Sequence, residues 1–269
     1  MLIICDFSIA LRLLFRARFA WLASSFAIIV VLAMLLSAYF GARQPVTVAM
    51  DIGFSAIRLL LPLLIVLSVQ ELLSREFDKR YYPCSLSYPR ARSSLLFGRF
   101  LALLTTVLGL LFVMAILQVA LVKLVAVFYP QVSSVSIGQP YLVVLAFIAL
   151  DLLVLSAFAT LLAVLAPTPS FVLIGTFGFM LVARSYGAIV ELLSRDAGLV
   201  AYVEGYRAGL SALSFLMPDL GALDVRMIAI YGKMEFLPVD WLLLFLANLS
   251  YATALIVLAI LALRHKRLA

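Results

Sequence analysis

The chain has 269 residues, of which 66% are apolar and 12% charged, with a formal net charge of +7 and a mean hydropathy of +1.21. Soluble domains carry roughly 25% charged residues, so this balance excludes a soluble globular protein. It points to an all-α, polytopic membrane protein, built at about 20 apolar residues per helical span.

Taken in chain order, "ALRLLFRARFAWLA" comes first and brings Arg12, Arg16 and Arg18 to the edge of the first apolar run. That run is too long and too late for a cleaved signal peptide and is read as a retained anchor. Stretches free of Asp, Glu, Lys and Arg lie at 19–42, 100–122, 124–150, 152–183 and 241–263. From them six spans are predicted: Phe19 to Phe40, Ile52 to Gln70, Phe100 to Val122, Tyr141 to Leu165, Phe171 to Val190 and Val239 to Leu263, with the second and fifth each interrupted by one arginine. The whole chain, 1–269, is read as one transmembrane domain.

Orientation follows from the short flanks, because cationic loops stay cytoplasmic. Three Lys or Arg precede the first span, six lie between the second and third, and three lie in the terminal "RHKRLA". If six spans alternate, these twelve share one side, against five on the other (Arg43, Arg195, Arg207, Arg226 and Lys233). Both termini are therefore predicted to be cytoplasmic and the net charge to be a topology signal, so no nucleic-acid partner is expected. Cys5 and Cys84 fall on the cytoplasmic side, where thiols stay reduced. The single histidine, His265, sits in the basic tail, so no paired-histidine metal site and no imidazole base inside the membrane is expected.

The segment from Glu71 to Phe100, "ELLSREFDKRYYPCSLSYPRARSSLLFGRF", concentrates six bases and three acids between two apolar runs. Glu71 with Arg75 and Glu76 with Arg80 are i, i+4 pairs in the favoured order, which predicts a helix continuing out of the second span to about Arg80, ended by Pro83. Tyr88 followed by Pro89 marks the start of a new helix leading into the third span. The uncharged aromatic connector "YYPCSLSY" between them is either a self-packed turn or a docking surface.

Inside the spans, Asp151 is the clearest intramembrane charge, about 15 Å from the outer end of the fourth span at 1.5 Å per residue. Arg58 and Arg184 lie at depths that reach its carboxylate. A structural Asp–Arg pair is the favoured reading over substrate or proton handling, with Arg184 the preferred partner because short-looped spans are antiparallel neighbours. Lys123 snorkels outward near the end of the third span. The outer segment 191–238 belongs to a region from Glu191 to Asp240 with seven acids and four bases, too charged to cross a membrane, and "AYVEGYRAGLSALSFLM" within it has the spacing of an amphipathic interfacial helix.

Several of these features resemble the six-span permeases of ABC exporters, the type V group. The carriers are Glu76, Pro89, Arg90, Arg92, Gly98 and Arg99 of the charged segment, "LMPDLGALDVRMIAIYG" from Leu216 to Gly232, and the N-terminal basic helix. "DKRYY" stands near the place of that family's Gly-Thr pair.

The resemblance implies half of a homodimeric or heterodimeric translocation pathway in an inner (plasma) membrane, working with a second permease subunit, membrane lipids and a separate nucleotide-binding ATPase subunit. Residues 71–99 would form the cytoplasmic coupling loop, with Glu76, Asp78, Lys79, Arg80, Tyr81, Tyr82, Leu86, Tyr88, Arg90 and Arg92 facing the ATPase. Tyr206, Phe215, Pro218 and Asp219 would belong to an external lid. ATP and Mg are expected on the partner and no cofactor in this chain. Its one Gly-Lys, Gly232–Lys233, is followed by Met, unlike a phosphate-binding loop. No enzymatic activity is expected of the chain itself. The alternatives are a secondary, ion-coupled transporter, or an ABC-like complex that uses ATPase strokes for signalling or maturation.

Overall fold

A computed structural model describes residues 2–16, 19–41, 43–74, 92–129, 135–166, 168–195 and 217–265. All regular elements among them are helical: α1 (Leu2–Arg16), α2 (Phe19–Phe40), α3 (Pro45–Val69), a π turn (Gln70–Ser74), α4 (Arg92–Phe128), α5 (Gln139–Leu165), α6 (Pro169–Arg195), α7 (Met227–Tyr231), a 3₁₀ turn (Met234–Phe236) and α8 (Trp241–His265). Six stretches are long and apolar enough to cross a membrane: Phe19–Phe40, Pro45–Leu73, Ser93–Phe128, Gln139–Leu165, Pro169–Gly187 and Trp241–His265. This is the architecture of a multi-pass membrane protein.

Several boundaries differ from the sequence expectation. The second span begins at Pro45 rather than Ile52. Proline is well placed in a first helical turn, where its missing N–H is not needed, and Asp51 is carried inside the helix. Helix α4 runs from Arg92 to Phe128, beyond the predicted Val122, with exposed Lys123 in its last turns. Helix α6 continues to Arg195, taking in the first residues of what was read as the outer segment. At the other end of that segment, residues 217–238 form turns, α7 and the 3₁₀ turn. Most of the predicted interfacial helix, 201–216, lies outside the described residues.

Helices α3 and α5 form the centre. In their apolar windows 61% of the residues are buried, against 22% in α2 and α8. The outer helices therefore turn their apolar side chains outward, among them Trp21, Ile28, Leu32 and Leu36 on α2, a surface suited to lipid and not to water. Helix α8 packs mainly on α5, α2 on α3, and α1 on α4. At 15 residues α1 is too short to span; it buries Asp6, Ala10 and Leu14 on one stripe and exposes Ile9 and Leu13. Phe158 of α5 stacks on Phe179 of α6 at 3.9 Å, and Phe179 lies parallel to Tyr251 of α8 at 6.4 Å.

Many buried polar groups in the spans find partners close by, which an environment without water favours. Ser156, Thr160 and Thr176 donate to carbonyls one turn back in their own helices. Gln118 of α4 donates through Nε2 to the Met50 carbonyl of α3 at 3.1 Å, and the Tyr141 hydroxyl of α5 lies 3.2 Å from Gln118 Oε1 and 3.0 Å from the Ala115 carbonyl. Gly53 makes room for this knot: a Cβ there would stand 2.7 Å from Gln118 Nε2. At the opposite ends of these helices, Arg99 donates to the Leu72 carbonyl in the π turn at 2.9 Å, and Gln70 to the Pro169 carbonyl at 2.9 Å. The stem that carries the charged segment is thereby tied to both α4 and α6.

Candidate functional site

The site begins with one face of α3. Asp51, Ser55 and Arg58 follow each other at spacings of four and three, which aligns them on one side of a helix. Measured along the helices at 1.5 Å per residue, Arg58 lies about 20 Å from the start of α3, Asp151 about 18 Å from the start of α5, and Arg184 about 17 Å from the end of α6. The three charges thus share a level in the bundle.

They meet there. Arg184 Nη2 lies 2.6 Å from Asp151 Oδ2, and Arg58 Nη2 lies 3.5 Å from the same oxygen. The Asp151 side chain is fully buried, Arg58 is 9% exposed and Arg184 20%. The short Arg184 contact is a charge-assisted hydrogen bond, about twice as strong as a neutral one. Three buried polar atoms at this centre have no hydrogen-bond partner among the described residues: Asp151 Oδ1, Arg58 Nε and Arg184 Nε.

Pro62 explains why Arg184 docks where it does. In a regular helix the amide of residue 62 would bond to the carbonyl of residue 58, but proline has no N–H. The Arg58 carbonyl instead accepts from Arg184 Nη1 at 3.0 Å. A helix interruption and an intramembrane cation thus satisfy each other.

A second tier links this centre to the segment before α7. Arg58 Nη2 also donates to the Leu220 carbonyl at 3.2 Å, while Arg58 Nη1 holds Asp224 Oδ2 at 2.8 Å. The same Asp224 oxygen is 3.5 Å from Arg226 Nε, and Arg226 Nη1 reaches Asp51 Oδ1 at 2.9 Å and Ser55 Oγ at 2.7 Å. The backbone closes against α6, with the Leu220 amide donating to the Ala183 carbonyl at 3.1 Å. Gly221 is required for that approach, since a Cβ would stand 2.5 Å from the Arg184 carbonyl oxygen. Between the tiers is an open cavity of about 400 Å³, lined by Ser55, Arg58, Leu59, Arg184, Gly221, Asp224 and Arg226.

Of the residues singled out from sequence, Asp151, Arg58 and Arg184 come together as described. Pro218 and Asp219 lie in the turn that leads to Leu220, where Asp219 Oδ1 accepts from the Ala222 amide at 3.0 Å. Glu76, Asp78, Lys79, Arg80, Tyr81, Tyr82, Leu86, Tyr88, Arg90, Tyr206 and Phe215 lie outside the described residues. Arg92 is the first residue of α4. The sequence reading missed Asp51, Ser55, Asp224 and Arg226 as members of the site. The one signal available was the Asp-x-Arg pair in the otherwise uncharged stretch "GALDVRMIAIYG". Among the described residues no group of His, Cys, Asp and Glu is arranged to hold a metal ion. Comparison of the chain with protein-family models and with curated proteins finds no match to either.

Proposed function

We propose that the chain is the membrane permease subunit of an ATP-driven ABC exporter, forming the translocation pathway as a dimer and coupled to a separate ATPase. The observation that carries this reading is the buried Arg58–Asp151–Arg184 centre, joined through Arg58 to the 217–226 segment above an open cavity. Charges held inside a membrane bundle are costly and mark transport pathways or the switches that control them. The charged segment between α3 and α4 supports an ATPase partner, because its two flanking helices are tied by Arg99 to Leu72 and so form a firm stem for a force-receiving loop. Both termini and the charged segment face the cytoplasm in this reading, the membrane is the inner (plasma) membrane, and residues 217–238 belong to the external lid.

The test is co-purification. Replacing Glu76 and Tyr88 together with alanine reduces recovery of the ATPase or uncouples its hydrolysis; unchanged recovery together with unchanged transport refutes the docking role. Pro62, which removes one hydrogen bond from the otherwise continuous α3 beside the Asp151 centre, favours one second reading, ion-coupled secondary transport, in which broken helical hydrogen bonding surrounds an intramembrane carboxylate. Transport that survives loss of ATP hydrolysis but stops with a protonophore selects that reading.

A further inference from the structure

The cavity between α3, α6 and the 217–226 segment is lined by three cationic side chains. Arg58, Arg184 and Arg226 line it, against one carboxylate, Asp224. Each arginine also has a carboxylate: Arg184 and Arg58 share the fully buried Asp151, and Arg226 Nη1 pairs with Asp51 at 2.9 Å, which is not part of the lining. Asp224 uses a single oxygen to meet both Arg58 Nη1 and Arg226 Nε. It therefore occupies the position that an external oxyanion would take. Asp224 is carried by a turn, its amide bonded to the Gly221 carbonyl at 2.9 Å, so it is able to leave without unwinding a long helix.

We infer that this cavity is an oxyanion-binding site of the phosphate or carboxylate class, in which the ligand takes the place of Asp224 on Arg58 and Arg226. Guanidinium groups suit this role because they stay charged and present forked donors to planar or tetrahedral oxyanions. A volume of about 400 Å³ falls in the range of small-molecule sites. Exposed Leu59 on the rim matches the first methylenes of an amphiphile, so the phosphate of a lipid headgroup and a free phosphate share the required chemistry. Displacing Asp224 removes one of the ties between α3 and the 217–226 segment. Binding is a property of this chain alone and stands or falls separately from the ATPase partnership.

The experiment is isothermal titration of the full-length chain in a non-ionic detergent with two probes, inorganic phosphate and dihexanoyl phosphatidic acid below its micelle concentration. Binding of either probe, weakening as sodium chloride is raised, is expected. Asp224→Asn exchanges a charged competitor for a neutral one and tightens binding about tenfold. Arg226→Gln abolishes binding and Arg226→Lys retains part of it. Binding of the phosphatidic acid alone identifies a lipid headgroup, and equal binding of both probes identifies the free anion. Absence of binding to both wild type and Asp224→Asn, or binding indifferent to the substitutions at Asp224 and Arg226, overturns the inference. If Arg226→Gln fails to elute as a single species, the Arg226→Lys and Asp224→Asn comparison carries the test.

Discussion

Asp151→Asn tests the centre of the bundle most directly, because the two arginines around it are differently provided for. Losing the carboxylate charge takes from Arg184 its only anionic partner among the described residues, at 2.6 Å, and leaves it the Arg58 carbonyl. Arg58 keeps Asp224 at 2.8 Å and the Leu220 carbonyl at 3.2 Å. Breaking a buried ion pair by removing one partner costs about 3–5 kcal/mol in soluble cores, and water defects in a membrane reduce this. At about 2–4 °C per kcal/mol for chains of roughly this size, the midpoint falls by on the order of 6–20 °C. The assay is thermal unfolding of the detergent-solubilised protein, followed by the fraction that still elutes as a single species. Rescue is asymmetric: adding Arg184→Gln to Asp151→Asn restores part of the loss, whereas adding Arg58→Gln restores less, because it also strips Asp224 of its closer partner. Equal rescue by both, or better rescue by Arg58→Gln, refutes the assignment of Arg184 as the orphaned charge. Intact stability shows instead that the carboxylate does not hold the fold.

Gly221→Ala forces a Cβ to 2.5 Å from the Arg184 carbonyl oxygen; backbone on both sides resists, so a loss of about 1–3 kcal/mol is expected, with faster hydrogen exchange at the Leu220 amide as the local readout. Gln118→Leu leaves the Met50 carbonyl without its side-chain donor and Tyr141 without one acceptor, at a cost on the order of 1–2 kcal/mol for a hydrogen bond between membrane helices. Combined with Tyr141→Phe it costs less than the sum of the two, which a double-mutant cycle on thermal stability checks. For topology, a reporter fused after Ala269 scores as cytoplasmic and one inserted near Gly198 as external; an external C-terminus contradicts the orientation drawn from the twelve flanking cations.

How much of this was legible depended on where a charge stood. Helix α2 could be read to the residue because nothing charged interrupts 19–42 and charged flanks bound it. The start of α3 was hidden, because Asp51 looks like a loop residue until Arg226 is seen beside it, contributed from far along the chain. Arg58, Asp151 and Arg184 stood out because a lone charge in an apolar run has to find a partner, and their depths could be counted from helical rise alone. Asp224 and Arg226 were marked only by their Asp-x-Arg spacing, a faint signal in a region that carries both signs on either side. Sequence alone determined that the chain is helical, apolar and six times long enough to cross a bilayer, since those properties follow from local composition and the 1.5 Å rise. Only the tertiary structure decided that the carbonyl freed by Pro62 would be taken by Arg184, that Arg58 would serve two carboxylates, and that Gly221 would bring the 217–226 segment against α6. Those pairings are set by which helix faces meet, and helix packing is a property of the whole chain.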